Sequence, residues 1–332
     1  MSAGYRRLVL ATTCLAFIVV IAGAYVRLVG AGLGCPDWPG CYGEATPALA
    51  QAAIDKAVRA QGGEHGPVSL TKAWNEMGHR YLAGALGLAV LAIAVAAWRG
   101  RARLARSPAA PTALLALVVF QAALGMWTVT LLLKPVIVTL HLLGGMATLA
   151  LLGWLSVREL RLERPSNAAR ARALKPWAAL ALVIVIAQIA LGGWVSSNYA
   201  ALACVDFPTC HGQWLPEMDF RHGFQVVREL GRTADGRHLA YEALTAIHWT
   251  HRVGALVTFL YVGGVALALL RSGMPAYGAA LGAVLAVQIA LGIANILAGL
   301  PLGVAVAHNA AAALLLLTLV VINFALSRTD PR

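Results

Sequence analysis

The sequence predicts an all-α polytopic membrane protein, with eight transmembrane helices arranged as two four-helix bundles related by a pseudo-twofold axis. Three observations carry that prediction. The 332 residues are 60% hydrophobic and 12% charged, against roughly 45–50% apolar and about 25% charged for a soluble domain. Eight stretches reach the length of about 20 apolar residues that a membrane span requires. The two halves of the chain also repeat one another. A net charge of +12 would invite a nucleic-acid reading, but its distribution along the chain points to membrane orientation instead.

The spans fall at 8–29, 73–98, 112–133, 136–157, 176–198, 242–270, 276–298 and 302–326. Arg6 and Arg7 precede the first. Arg99, Arg101, Arg103 and Arg106 fill the second connection, and Arg158, Arg161, Arg164, Arg170, Arg172 and Lys175 the fourth. Arg271 lies in the sixth connection, and Arg328 and Arg332 close the chain. These basic residues share one side, which the positive-inside rule assigns to the cytoplasm. The expected location is the bacterial inner membrane, with both termini cytoplasmic and the long loops 30–72 and 199–241 facing outward. The first apolar run is too long for a signal-peptide core and lacks an A-x-A site, so it reads as a retained span.

The repeat fixes the organisation. Cys35-Pro-Asp37-Trp38-Pro39-Gly-Cys41-Tyr-Gly43 returns as Cys204-Val-Asp206-Phe207-Pro208-Thr-Cys210-His-Gly212. Gln121-x-Ala-Leu-Gly125 with His141 returns as Gln288-x-Ala-Leu-Gly292 with His308, and Glu76-x-x-His79-Arg80 as His248-x-x-His251-Arg252. The offset stays between 167 and 172 residues. Four spans per half give both halves the same insertion direction. The expected division is 1–160, a charged cytoplasmic link 161–174 containing Pro165, and 175–332.

Four of the nine histidines, His79, His141, His251 and His308, lie within spans at positions the repeat pairs. Each sits one or two turns past the outer end of its helix, about 10 Å deep at 1.5 Å per residue. Polar side chains at such depth are costly and mark function. Imidazoles facing each other from neighbouring helices suit the two axial positions of a haem. Zinc would call for a third or fourth protein ligand, and H-E-x-x-H is absent. Arg80 and Arg252 directly follow ligand candidates and are propionate candidates, or else snorkelling interfacial arginines. Glu76 shares a helix face with His79, and its counterpart is His248. A carboxyl there can accept a proton from a reacting group, whereas His248 cannot offer the same charge. Glu76 also reads as a structural partner for Arg80. His248 and His251 are both candidate ligands in the second half, and the repeat and the following arginine favour His251.

Cys14 is expected as a small buried apolar residue. Cys35 with Cys41, and Cys204 with Cys210, can close short disulfide loops in an oxidising compartment, as staples or as redox-active dithiols. His65, His211, His222 and His238 read as loop residues.

These residues resemble the haem A synthase family of cytochrome oxidase maturation over essentially the whole chain. The strongest motif is Gly23-Ala-Tyr-Val-Arg27-Leu-Val-Gly-Ala-Gly-Leu-Gly-Cys35-Pro-Asp-Trp-Pro-Gly-Cys41, joined by Glu76-x-x-His79-Arg80, His141, His251-Arg252 and His308. The resemblance implies haem b held by His251 and His308. It implies substrate haem O at His79 and His141, with Glu76 essential for turnover. Its reaction oxidises the C8 methyl of haem O to the formyl of haem A in two successive steps. Expected partners are the lipid bilayer, haem O synthase and an electron acceptor. The rival readings are a quinol-linked di-haem b-type cytochrome, which leaves Glu76 without a role, a DsbB-like thiol oxidant, and a transporter.

Overall fold

The computed structural model describes residues 3–61, 63, 68–101, 107–160 and 168–328. His65, Arg103, Arg106, Arg161, Arg164, Pro165 and Arg332 lie outside the described residues. Eight helices among those described are long and apolar enough to cross a membrane. They are α1 (Ala3–Leu28), α3 (Leu70–Arg99), α4 (Ala109–Thr130), α5 (Pro135–Glu159), α6 (Ala168–Ser197), α8 (Tyr241–Arg271), α9 (Pro275–Leu297) and α10 (Leu302–Ser327). Two shorter helices, α2 (Gln51–Ala60) and α7 (Phe220–Gly223), lie in the long loops. Each of the eight expected spans coincides with one long helix. The largest boundary shift is at α6, which starts at Ala168 and carries Pro176 inside it. Its first turns are rich in alanine and arginine, strong helix formers that extend the helix beyond its apolar part.

The chain divides into two compact units, Met1–Thr148 and Leu149–Arg332, with the boundary inside α5. In the first, α3 packs against α1 and α4, and α2 rests on α3. In the second, α6 packs on α8, α8 on α9, α9 on α10, and α10 returns to α6, closing a ring of four. Cys14 is exposed on the side of α1, which corrects the expectation of a buried residue. On a helix that faces lipid, a small apolar thiol needs no protein cover.

Five long helices share one terminator. Past the ends of α1, α4, α6, α8 and α9 the backbone turns left-handed, and an N–H reaches back five residues. Ala31 bonds to Val26 at 2.9 Å, Leu133 to Thr128 at 2.8 Å, Ala200 to Val195 at 3.0 Å, Met274 to Leu269 at 3.1 Å and Leu300 to Asn295 at 2.7 Å. These Schellman-type bonds satisfy carbonyls the helix leaves open. The left-handed residues include Leu132 (φ 49°), Tyr199 (φ 55°) and Leu300 (φ 61°) as well as Gly30, Gly273 and Gly299.

Beyond α1 the chain folds into a small lid on the end of α3. Cys35, Cys41, Ala50, Ile54, Val68, Ala73 and Met77 form its buried core. In the second unit, Trp194 of α6 and Asn198, just past its end, anchor the long loop. The indole N–H donates to the Gly223 carbonyl at 2.9 Å. The buried Arg228 bonds to Asn198 and lies over the Trp194 ring.

Candidate functional site

The two cysteine loops are built alike. Cys35–Cys41 and Cys204–Cys210 are closed disulfides. In the first loop, the Asp37 carboxylate accepts the N–H groups of Tyr42 and Gly43 at 2.7 and 2.6 Å. In the second, Asp206 accepts those of His211 and Gly212 at 2.7 and 3.0 Å, and the Thr209 hydroxyl at 2.6 Å. These bonds hold a turn whose tip residues are left-handed, Tyr42 and Gly43 in one loop and His211 and Gly212 in the other. The Thr209 hydroxyl and the backbone N–H groups hold the Asp206 carboxyl well below the usual carboxylate range.

Each loop is tied to the first buried turns of a histidine-bearing helix. Gly34 lies so close to α3 that an added Cβ would sit 2.7 Å from the Lys72 carbonyl. One turn on, the buried Glu76 accepts the Cys35 N–H on Oε2 at 2.9 Å and pairs with Arg80 through Oε1 at 2.5 Å. Arg80 Nη1 donates to the Asp37 carbonyl at 2.9 Å and the Gly40 carbonyl at 2.5 Å. The carboxylate therefore joins loop and helix at the level of His79, three residues later.

His248 stands in the place of Glu76 in the second unit. Its Nδ1 accepts the Cys204 N–H at 3.3 Å, and its Nε2 lies 3.3 Å from Nε of Arg252. Arg252 donates to the carbonyls of Thr209 and Cys204, both at 2.7 Å. The same loop N–H meets a carboxylate in one unit and an imidazole in the other. His248 is thereby engaged with the loop, while His251 points to the facing helix.

All four paired histidines are half-buried, and each packs on a glycine of a neighbouring helix. An added Cβ would lie 3.0 Å from Cε1 of His79 on Gly23, and 3.3 Å from that of His141 on Gly125. On Gly192 it would lie 3.1 Å from Cε1 of His251, and on Gly292 3.2 Å from that of His308. Within each unit the two imidazoles lie in electrostatic reach of each other. No cluster of three or more His, Cys, Asp or Glu suited to a metal ion occurs among the described residues. Paired imidazoles seated on glycine fit a planar tetrapyrrole with two axial ligands.

Glutamines and glycines complete the site, and two of their roles were missed in the sequence. Gln121 donates to the His141 carbonyl at 2.6 Å, and Gln188 to the His251 carbonyl at 2.9 Å. Gln188 also lies 3.0 Å from Nδ1 of His251, and the Gln288 amide 3.2 Å from Nε2 of His308. The repeat exposed Gln121 and Gln288, but Gln188-Ile-Ala-Leu-Gly192 carries the same string and went unread, as did the glycine seats. Among the loop histidines, His211 rests on the Ala203 carbonyl and stacks on Tyr241. His222 pairs with Asp219 at 2.5 Å, and His238 forms a bridge with Arg232.

Residues 6–320 match the model of the COX15-CtaA family, described as cytochrome oxidase assembly protein. Among curated relatives, a heme A synthase of Shewanella oneidensis is 41% identical over 94% of this chain and 94% of its own. Another, of Methylobacterium radiotolerans, is 31% identical over 98% of this chain and 91% of its own. A third, of Rhizorhabdus wittichii, is 29% identical over 92% and 89%.

Proposed function

Since the chain belongs to the COX15-CtaA family of cytochrome oxidase assembly proteins, we propose how its two histidine pairs divide the work of a haem A synthase. The activity is that of an oxidoreductase converting haem O to haem A in a membrane. Substrate haem O would be held by His79 and His141, and a haem b cofactor by His251 and His308. The single observation that carries this division is the exchange of Glu76 for His248 at positions that otherwise bond alike. A site that performs proton chemistry keeps a carboxylate there. A site that only holds a cofactor can replace it with a neutral ring.

Each oxidation removes two electrons and a C–H proton from the methyl carbon attached to C8, and water adds there and loses a proton. The first gives an alcohol and the second a gem-diol, which loses water to leave the formyl group. Haem b, when bound, supplies a one-electron carrier towards an external acceptor. Glu76 holds a negative charge beside the reacting edge and accepts the proton as the carbon is oxidised. Arg80 holds that carboxylate and the loop carbonyls together, so that the loop closes over the substrate and limits access of bulk water. Of the five N–H donors on Arg80, Nε–H and one on Nη2 are left for a propionate. Arg252 clamps the second loop in the same way. His251, rather than His248, is the second-unit ligand, because His248 serves the loop.

We assign both termini to the cytoplasm and the cysteine loops to the outer face, on the arginine distribution. The link between the two four-helix halves then lies inside. Haem O synthase is the expected donor of substrate.

The test is pigment analysis of the protein purified from a host that makes haem O but no haem A. Haem A or the hydroxylated intermediate beside haem B supports the proposal. Haem B alone, with haem O present in the membrane, turns the reading to an electron-transfer cytochrome. Retained activity in a Cys35→Ser/Cys41→Ser variant would exclude the thiol-oxidant reading.

A further inference from the structure

Three of the four histidines have a glutamine one turn before their glycine seat on the facing helix, and His79 does not. The pairs are Gln121 with Gly125, Gln188 with Gly192, and Gln288 with Gly292; at Gly23 the corresponding residue is Val19. The receiving side differs too. An added Cβ on Gly144 or Gly254, each three residues past its histidine, would lie 2.3 Å from Oε1 of Gln121 or Gln188. The residue three past His308 is Ala311, still small, whereas three past His79 it is Leu82. Both parts of the glutamine nest are therefore missing around His79.

The glutamines carry an unmet hydrogen-bonding capacity aimed at this region. Oε1 of Gln121, Gln188 and Gln288 is buried, with no hydrogen-bond partner among the described residues. Nδ1 of His141 and His308 is in the same condition, and so is Nδ1 of His79. A neighbouring side chain that holds a ligating histidine by its backbone or its ring fixes its orientation. The amide N–H groups of Gln121 and Gln188 donate to the His141 and His251 backbone carbonyls at 2.6 and 2.9 Å. The Gln188 amide also lies 3.0 Å from Nδ1 of His251 and the Gln288 amide 3.2 Å from Nε2 of His308, whereas no glutamine takes this place beside His79.

We propose that Gln121, Gln188 and Gln288 are positioning residues that lock His141, His251 and His308, and that the unlocked His79 is the exchangeable ligand through which haem O enters and haem A leaves. The inference rests on the assignment of substrate to the first histidine pair. Its logic is kinetic. A cofactor site must retain its tetrapyrrole through many turnovers, while a substrate site must release it after each one. Three locked ligands and one unlocked ligand, the latter in the substrate site, meet both demands.

The experiment follows transfer of each pigment from the full-length, detergent-solubilised protein to excess apomyoglobin, identifying what remains by chromatography and mass spectrometry. Side chains that hydrogen-bond to a ligating residue typically change metal affinity by about 10–100-fold. The wild type is expected to lose haem O at least tenfold faster than haem b. Val19→Gln/Leu82→Gly, which rebuilds the nest, slows loss from the first site about tenfold and leaves the second unchanged. Gln188→Leu speeds loss from the second site about tenfold and shifts its reduction potential, and Gln188→Glu, which cannot donate to the His251 carbonyl, restores neither. Equal release of the two pigments, or variants that alter neither release nor potential, would overturn the proposal. Haem b in both sites would sink the substrate assignment, yet the variants still identify which release rate belongs to which site and so decide this proposal separately.

Discussion

Replacing Glu76 with glutamine removes one charge and almost nothing else. The carboxylate makes two contacts, the Cys35 N–H at 2.9 Å and Arg80 at 2.5 Å, and the two side chains of the ion pair are 6% and 13% exposed. Removing one partner of a buried pair costs about 3–5 kcal/mol. Here the cost is smaller, because the amide oxygen still accepts one bond and Arg80 keeps its loop carbonyls. About 2 kcal/mol is expected, which is about 30-fold in the opening of the loop at 1.4 kcal/mol per tenfold. Hydrogen exchange at the Cys35 amide should rise by that factor. Turnover of haem O should fall much further, by about 10²–10⁴, the range that a positioned proton acceptor contributes. Haem content should stay at two per chain. An unchanged Cys35 amide would refute the tie between carboxylate and loop. Turnover within threefold of wild type would refute Glu76 as the proton acceptor, and loss of pigment from the first site would reduce its role to a structural one.

Gly192→Ala places a Cβ 3.1 Å from Cε1 of His251, against ordinary carbon contacts of about 3.5–4.0 Å. The ring must yield by a few tenths of an ångström, and haem retention in the second unit should drop about tenfold with the first unit unaffected. Absorbance spectra of the purified variant check this. The Asp206 carboxyl is lowered on folding, so its stabilisation is complete above the unfolded value near 3.9 and is lost as pH falls through the folded one. Exchange at the His211 and Gly212 amides should thus be insensitive to Asp206 protonation from neutral pH down to about 5, and its protection should weaken only in stronger acid, after correction for intrinsic rates. Leu132 is 70% exposed with φ 49°, so Leu132→Gly should relieve left-handed strain of about 1 kcal/mol and raise thermal stability in detergent. A lower melting temperature would show that Leu132 has a packing role outweighing its strain.

The spans were legible because apolar length alone marks them, and the histidine pairs because a polar group at membrane depth has few other reasons to be there. The repeat made Glu76 visible by setting it against His248. What the sequence hid was reach. Nothing in the spacing of Arg80 and Arg252 says that their guanidinium groups turn towards loop carbonyls, since that depends on how the loop folds back over its helix. Gln188 escaped because its string occurs in a span whose counterpart, α1, carries Val19 instead, so the comparison of halves did not flag it. Helix starts such as that of α6 were misplaced because charged helix formers continue a helix beyond its apolar part.

The division of labour between the two histidine pairs is tested most directly by identifying the pigments of two double variants expressed where haem O is made. His79→Ala/His141→Ala should retain a single haem per chain, haem b, with no haem O, hydroxylated intermediate or haem A. His251→Ala/His308→Ala should retain haem O and lose haem b. Haem O or haem A held by the protein lacking His79 and His141 would contradict the account.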